Sequence, residues 1–290
     1  MLILDADAVR AACAPLAAVE AIASALVAGL DPSADLPRQA VPLHGGELML
    51  MPSELSQAYA GIKVLTVAPD NPARGLPRIQ ASYLVFDADS LSLRAVLDGT
   101  ALTTLRTPAV SVAAVRPRLL AMPGPLRLAV FGAGPQAHAH AATLAAAVPL
   151  ASTTYLARND VADDVLRAAD VVVCATSART PLFDADLIQD TAVVIAVGSH
   201  EPDAREVPAA LCARATVVVE DVATALREAG DVCLALHEGA IRESDLVPMR
   251  DVVTGRTTPP RDRPLLFKSV GMSWQDLVVA EAVLKAQPRG

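Results

Sequence analysis

The sequence predicts an α/β protein in which a Rossmann-type, doubly wound parallel sheet follows an α+β domain. Three observations carry this. The stretch "AVFGAGPQAHAHA" (129–141) is an apolar strand, a loop of small residues, and the start of a helix. After residue 120, "LRLAVF", "STTYLA", "DVVVCA", "AVVIAV", "ATVVVE" and "LLFKSV" alternate with helical or irregular stretches, as parallel strands and their crossovers do. Before residue 120, "AVPLHGGELMLMP" and "ASYLVFDADSLSLRAVL" each read as two apolar strands around a turn-rich tetrad, the pattern of antiparallel hairpins.

Taken in order, "AACAPLAAVEAIASALVAGL" (11–30) is apolar enough to suggest a membrane segment. Pro15 and Glu20 interrupt it, and Asp5 and Asp7 precede it against the single base Arg10, so a packed amphipathic helix is expected instead. The hairpins follow, and then "RPRLLAMPGP" (116–125), whose three prolines and glycine break a preceding helix and mark a domain boundary. The alternating segment comes next, and "TGRTTPPRDRP" (254–264) reads as an exposed loop. With 53% hydrophobic but only 3% aromatic residues, the core has to be built from Ala, Val and Leu. The net charge of −8, without a basic run, argues against nucleic acid or an anionic membrane as partner. Cys13, Cys174, Cys212 and Cys233 form no CxxC pair, so reduced thiols in a cytoplasmic protein are expected and no metal site is visible. His138 and His140 lie two apart on a helix and point to different faces, His44 sits in a hairpin turn, and His237 falls in an irregular region.

The loop Gly132-Ala133-Gly134-Pro135-Gln136-Ala137 has the GxGxxA spacing in the strand–loop–helix setting that gives the spacing meaning. Gly132 permits the tight turn, Gly134 lets backbone approach a pyrophosphate, and Ala137 allows close helix packing, while the helix N-terminus offers N–H groups and a positive dipole. Pro135 and Gln136 complete the cradle. The next strand ends "YLARND", placing Arg158 and Asn159 where an NAD-preferring site has its carboxylate. Arginine pairs with a 2′-phosphate, so NADP is the expected cofactor; NAD is the alternative if Asp160 serves the ribose. About ten residues separate this strand from "DVVVCAT", too few for the usual helix plus third strand. Thr176 ends a strand at the carboxyl edge of the sheet and is a cofactor-contact candidate.

The segments "AGIKVLTVAPDNPARGLP", "LDGTALTTLRTPAVS", "VFGAGPQA", "ADVVVCATSARTP", "AVGSHEPDAREVP" and "FKSVGMSWQDLVVAEAV" together resemble, in order, the ornithine cyclodeaminase and mu-crystallin family. The resemblance implies a substrate-binding and dimerisation domain over 1–120, rejoined by a C-terminal helix at 272–290, and a dinucleotide domain over 121–271. Arg38 in "LPRQAV" and Arg106 in "LTTLRTPA" resemble the family's two carboxylate-binding arginines, whose planar forks suit a carboxylate. Lys63 in "GIKVL" resembles its active-site lysine, and two neighbouring cations should lower its pKa enough for proton exchange with a substrate nitrogen near neutral pH. Thr107, Val197, Ser269 and Gly271 fall in matching segments as further cofactor contacts. Taken singly, each of the three cations reads as a surface residue; the ordered segments assign them.

One departure stands out. Where cyclodeaminases carry an aspartate followed four residues later by a lysine, this chain has His200 in "GSHEPDARE", with Asp203 nearby. The resemblance therefore implies an NAD(P)H-dependent reductase of a cyclic imino acid or ketimine, working as a homodimer on a small carboxylate substrate. The alternatives it leaves open are an ornithine cyclodeaminase, an alanine-dehydrogenase-like enzyme, and a non-catalytic NADPH and small-ligand binder.

Overall fold

The computed structural model describes residues 1–54, 57–157, 160 and 162–287, and the chain divides into two compact units, Met1–Thr107 with Met272–Gly290, and Pro108–Gly271. The sequence places the boundary at 120/121. The compact units divide inside α3 (Gly99–Leu119), a helix that carries Pro108 and Pro117 without ending at either.

The first unit opens with β1 (Leu2–Leu4), α1 (Ala6–Ala12) and α2 (Pro15–Val27). Residues 11–30 are thus not one helix. Pro15 has no N–H to give and takes the first position of α2, so the chain bends by 69° between α1 and α2. Among the described residues no single helix is long and apolar enough to cross a membrane. Strands β2 (Gln39–Leu43), β3 (Gly46–Ser53), β4 (Tyr59–Val67), β5 (Ile79–Asp87) and β6 (Leu93–Asp98) then form an antiparallel run, and β1 joins β6 in parallel to give the order β1-β6-β5-β4-β3-β2. Both expected hairpins are present, with His44 in the β2–β3 turn.

Alternation along β4 gives the sheet two different faces. Gly61, Lys63 and Leu65 are buried on one, with Met51 and Tyr83 beside them on β3 and β5. That face receives α10 (Ser273–Lys285), which packs on α2, β3 and β4. The other face carries Leu50, Ile62, Val64, Leu84, Phe86 and Val96, all only half-buried, with Leu50 opposite Val64 and Leu84 between Ile62 and Val96.

The second unit holds β7 (Leu126–Phe131), α4 (Pro135–Ala147), β8 (Leu150–Leu156), α5 (Asp163–Ala168), β9 (Val171–Cys174), β10 (Val193–Ala196), α6 (Ala209–Arg214), β11 (Thr216–Val219), α7 (Val222–Glu228), α8 (Gly230–His237), β12 (Leu246–Pro248), α9 (Met249–Val253) and β13 (Leu265–Lys268). The strands form one parallel sheet in the order β12-β11-β13-β10-β9-β7-β8. β9 and β10 are buried at every position, which is why "VVVC" and "VVIA" show no alternation. The link after β8 carries only the six-residue α5, and β9 pairs with β7 rather than extending the sheet beyond β8. His237 ends α8 instead of lying in irregular chain, and the three-residue β12 was not among the expected strands.

Candidate functional site

The first unit gathers the predicted cations. Lys63 lies on the buried face of β4, Arg106 points from the second turn of α3, and Arg38 stands in the coil directly before β2. Lys63 is 2% exposed and Arg106 6%. They are held by a residue that sequence reasoning missed: Asp276, in the first turn of α10 and fully buried. Its Oδ2 accepts from Lys63 Nζ at 2.7 Å and its Oδ1 from Arg106 Nε at 3.2 Å. Gln275 Oε1 accepts from Arg106 Nη1 at 3.0 Å. The signal available was an acid and an amide set in the apolar run "SWQDLVVAEAV", where only a partnered carboxylate can be buried.

A second missed residue is Asp35. Its Oδ1 accepts from Ser53 Oγ at 2.9 Å and its Oδ2 from Trp274 N at 2.8 Å, so it caps the N-terminus of α10 from a distant part of the chain. Burial pushes its carboxyl up to about 6 against the lowering effect of those two bonds. Tyr83 lies over Gly61, where any Cβ would sit 2.3 Å from its hydroxyl oxygen; glycine is what lets the ring occupy that place.

Lys63 is lowered to about 8. The main cause is burial, which disfavours the ammonium; Arg106 and Arg38 lower it further, and Asp276 opposes all three. The two guanidinium groups, expected from the sequence to cause the shift, are secondary to desolvation. A lysine titrating there is mostly protonated at pH 7 yet can release its proton, while a guanidinium cannot. Thr107, the remaining candidate in this unit, is buried and donates Oγ1–H to the Thr103 carbonyl at 2.8 Å along its own helix.

In the second unit the predicted cofactor residues align along the carboxyl edge of the parallel sheet. Gly132 follows β7, Thr176 follows β9, Val197 follows β10, and Ser269 to Gly271 follow β13; those four strands are consecutive in the sheet. The chain order reverses at β7, which has β8 on one side and β9 on the other, the position where open α/β sheets take ligands. Gly132 adopts φ +113°, and a Cβ there would meet the Ala175 carbonyl oxygen at 2.5 Å. Gly134 caps α4, and a Cβ there would project into open space. Pro135 takes the first helical position, no side chain caps the helix, and Ala137 is fully buried 3.6 Å from where a Gly132 Cβ would stand. Gln136 is half-buried on the first turn. A small-residue loop leading into an uncapped helix N-terminus suits a pyrophosphate, so these residues fit a dinucleotide. Arg158 and Asn159 lie outside the described residues.

Buried carboxylates fix these strand ends. Glu206 accepts from Thr176 N and Thr176 Oγ1, both at 2.8 Å, and from Gly198 N at 2.7 Å. Glu220 accepts from Ser269 Oγ at 2.8 Å, Val270 N at 2.8 Å and Gly271 N at 3.0 Å. Lys268 Nζ donates to the Ser199 carbonyl at 2.6 Å and lies 2.8 Å from Asp231 Oδ2, while Asp231 Oδ1 accepts from Glu206 N and Val207 N. Thr176, Gly198, Ser269 and Gly271 are thereby anchored by side chains that the motif reading did not include. His200 is exposed on the loop after β10, where Arg179 pairs with Glu201 and Asp203. Among the described residues no group of three His, Cys, Asp or Glu side chains could hold a metal ion, and the four cysteines are unpaired.

Comparison with known proteins places this arrangement in context. The Ornithine cyclodeaminase/mu-crystallin family matches residues 6–162 and 156–287. A Delta(1)-pyrroline-2-carboxylate reductase of Burkholderia ambifaria is 32% identical over 270 residues, 86% of this chain and 84% of that protein. Ketimine reductase mu-crystallin of Mus musculus is 32% identical over 277 residues, 87% and 85% of the two chains. The structure of Thermococcus litoralis Delta(1)-pyrroline-2-carboxylate reductase in complex with NADH and L-proline superposes with a TM-score of 0.90 at 25% identity, covering 99% of this chain and 97% of that one.

Proposed function

The chain belongs to the ornithine cyclodeaminase/mu-crystallin family, and on that premise we propose that it is an NAD(P)H-dependent oxidoreductase that reduces the C=N bond of a cyclic imino acid or related ketimine bearing a carboxylate. The observation that carries this reading is the buried ammonium of Lys63, titrating at about 8 beside Arg106 and Arg38. Arg38 and Arg106 bind the substrate carboxylate, and their forked geometry fixes its orientation. Lys63 holds a proton at Nζ and gives it to the imine nitrogen, making the adjacent carbon electrophilic. The Gly132–Ala137 loop, Thr176, Val197, Ser269 and Gly271 would hold a dinucleotide, which when bound would supply hydride for the imine carbon. Arg158 and Asn159 belong to this reading as the groups that favour NADP over NAD, and Thr107 as a further cofactor contact. Positioning by fixed cations supplies much of the rate in such a site.

The chain works as a homodimer. The half-buried face of the first sheet, with Leu50, Ile62, Val64, Leu84, Phe86 and Val96 in register, is the apolar surface for a second copy. We place the protein in the cytoplasm with small-molecule partners; its net charge of −8 offers nothing to a polyanion. The test is turnover of pyrroline-2-carboxylate, piperideine-2-carboxylate, pyruvate with ammonia, and ornithine, each with NADH and NADPH. Dinucleotide oxidation by the cyclic imines supports the reading. Ammonia release from ornithine would assign a cyclodeaminase, and NADPH binding without turnover of any substrate would assign a binding protein.

A further inference from the structure

A protonated lysine in an apolar interior, with two guanidinium groups for neighbours, is an unstable arrangement unless something opposes it. Burial, Arg106 and Arg38 all act to strip the proton from Lys63. The charged and titratable groups around Lys63 come from four elements: Asp276 from α10, Arg106 from α3, Arg38 and Asp35 from the coil before β2, and the Tyr83 hydroxyl from β5. Only two of these are carboxylates. Asp35 spends its oxygens on Ser53 Oγ and Trp274 N. Asp276 is the carboxylate that accepts from Lys63 among the described residues, at 2.7 Å, with no exposure of its own.

We infer that Asp276 is a positioning residue of the reaction: from the first turn of the C-terminal helix it keeps Lys63 charged and aimed, and so sets the pH range over which the chain can protonate an imine. This inference rests on the reading of Lys63 as proton donor. Asp276 touches neither substrate nor dinucleotide in this role; it acts through Lys63 and, by its second oxygen, through the Arg106 fork. Gln275, the neighbour on the same turn, accepts from Arg106 Nη1 and carries no charge, so it separates the two effects. Lys63 with Asp276 present titrates at about 8. Removing a carboxylate in direct contact leaves only influences that lower it, and such a contact is worth about 1 to 3 pH units.

The test compares Asp276→Asn, which keeps the shape and loses the charge, with Gln275→Met. For the unmodified protein, kcat/KM for imine reduction should bend downward near pH 8. In Asp276→Asn the bend should move down by about 1 to 3 units, so the loss is about fivefold or more at pH 8 and shrinks below about pH 6. The imine's own titration is common to both proteins and cancels in their ratio. Gln275→Met should raise the substrate KM and leave the bend in place. A second readout needs no turnover: the chain has only three lysines, Lys63, Lys268 and Lys285, so carbon-13 labelling at Cε follows each ammonium by NMR. The Lys63 titration should fall in Asp276→Asn, and the dispersion of the amide spectrum reports that the chain is folded. An equal loss of activity at every pH, or an unchanged Lys63 titration in the folded variant, overturns the inference. If the unmodified protein reduces no imine, the functional reading fails, and the NMR titration still decides what Asp276 does to Lys63.

Discussion

Lys63→Met tests the mechanism where it is most exposed. With Lys63 titrating at about 8, ten in eleven molecules carry the proton at pH 7, so the lysine is poised as a donor. Methionine keeps most of the apolar stem and has no proton to give. Imine reduction at neutral pH should fall by about 10² to 10⁴, the range for removing a general acid, with NAD(P)H affinity unchanged. The fold should survive, for a reason visible in the same numbers. Lowering Lys63 from 10.5 to about 8 means that the ammonium is disfavoured in the folded chain by about 3 kcal/mol relative to water. Methionine removes that cost, while Asp276 loses one partner and keeps Arg106 at 3.2 Å. Breaking a buried pair outright costs about 3 to 5 kcal/mol, so the two effects offset to within about 2 kcal/mol, and Tm should move by a few degrees. The sign of the pH dependence follows. A lysine whose folded pKa is depressed binds fewer protons in the folded state between about 8 and 10.5, so its contribution to stability improves as pH rises through that window; Lys63→Met should lack this improvement. The assay is NAD(P)H oxidation with saturating imine, beside thermal melts from pH 7 to 10. If Lys63→Met keeps kcat and only raises KM, the lysine is a binding cation, the imine enters already protonated from solution, and the assignment of Lys63 as proton donor is wrong.

The other predictions concern the cofactor unit. Arg158→Ala should weaken NADPH more than NADH by about 1 to 3 kcal/mol, measured by fluorescence titration; equal losses would remove the case for NADP. His200→Ala should keep imine reduction within about tenfold, because hydride transfer to a protonated imine needs no acid on that exposed loop; a loss of several orders with unchanged cofactor affinity would show that histidine has taken over the aspartate's role. Gly132→Ala should lower stability by about 1 to 3 kcal/mol in a chemical melt, since its Cβ meets the Ala175 carbonyl and its φ of +113° suits glycine alone. Gly134→Ala should melt normally, its Cβ standing in open space, yet lose dinucleotide affinity by tenfold or more; undiminished affinity would mean that no phosphate lies against that loop.

Local patterns made the second unit legible. "AVFGAGPQA" contains the strand, the turn glycine and the helix start within nine residues, and "VVVC" and "VVIA" declare strands buried on both faces; these signals are local, although the strands pair with partners distant in sequence. The cations Arg38, Lys63 and Arg106 could be named from the ordered segments that resemble the family, but their surroundings could not. Asp276 is 213 residues from Lys63 and 170 from Arg106, and Asp35 is 239 from Trp274, so no spacing rule joins them. The family resemblance already implied that the C-terminal helix rejoins the first unit; tertiary structure alone decided that its one early acid stands against two buried cations. It also decided the state of Lys63, because desolvation is a property of what surrounds a side chain, and a sequence lists neighbours along the chain rather than around it. The same holds for Glu206 and Glu220: each is an ordinary surface letter in "REVP" or "VVVED", and becomes an anchor only when strands far apart in sequence end side by side and leave their amide N–H groups needing an acceptor away from water.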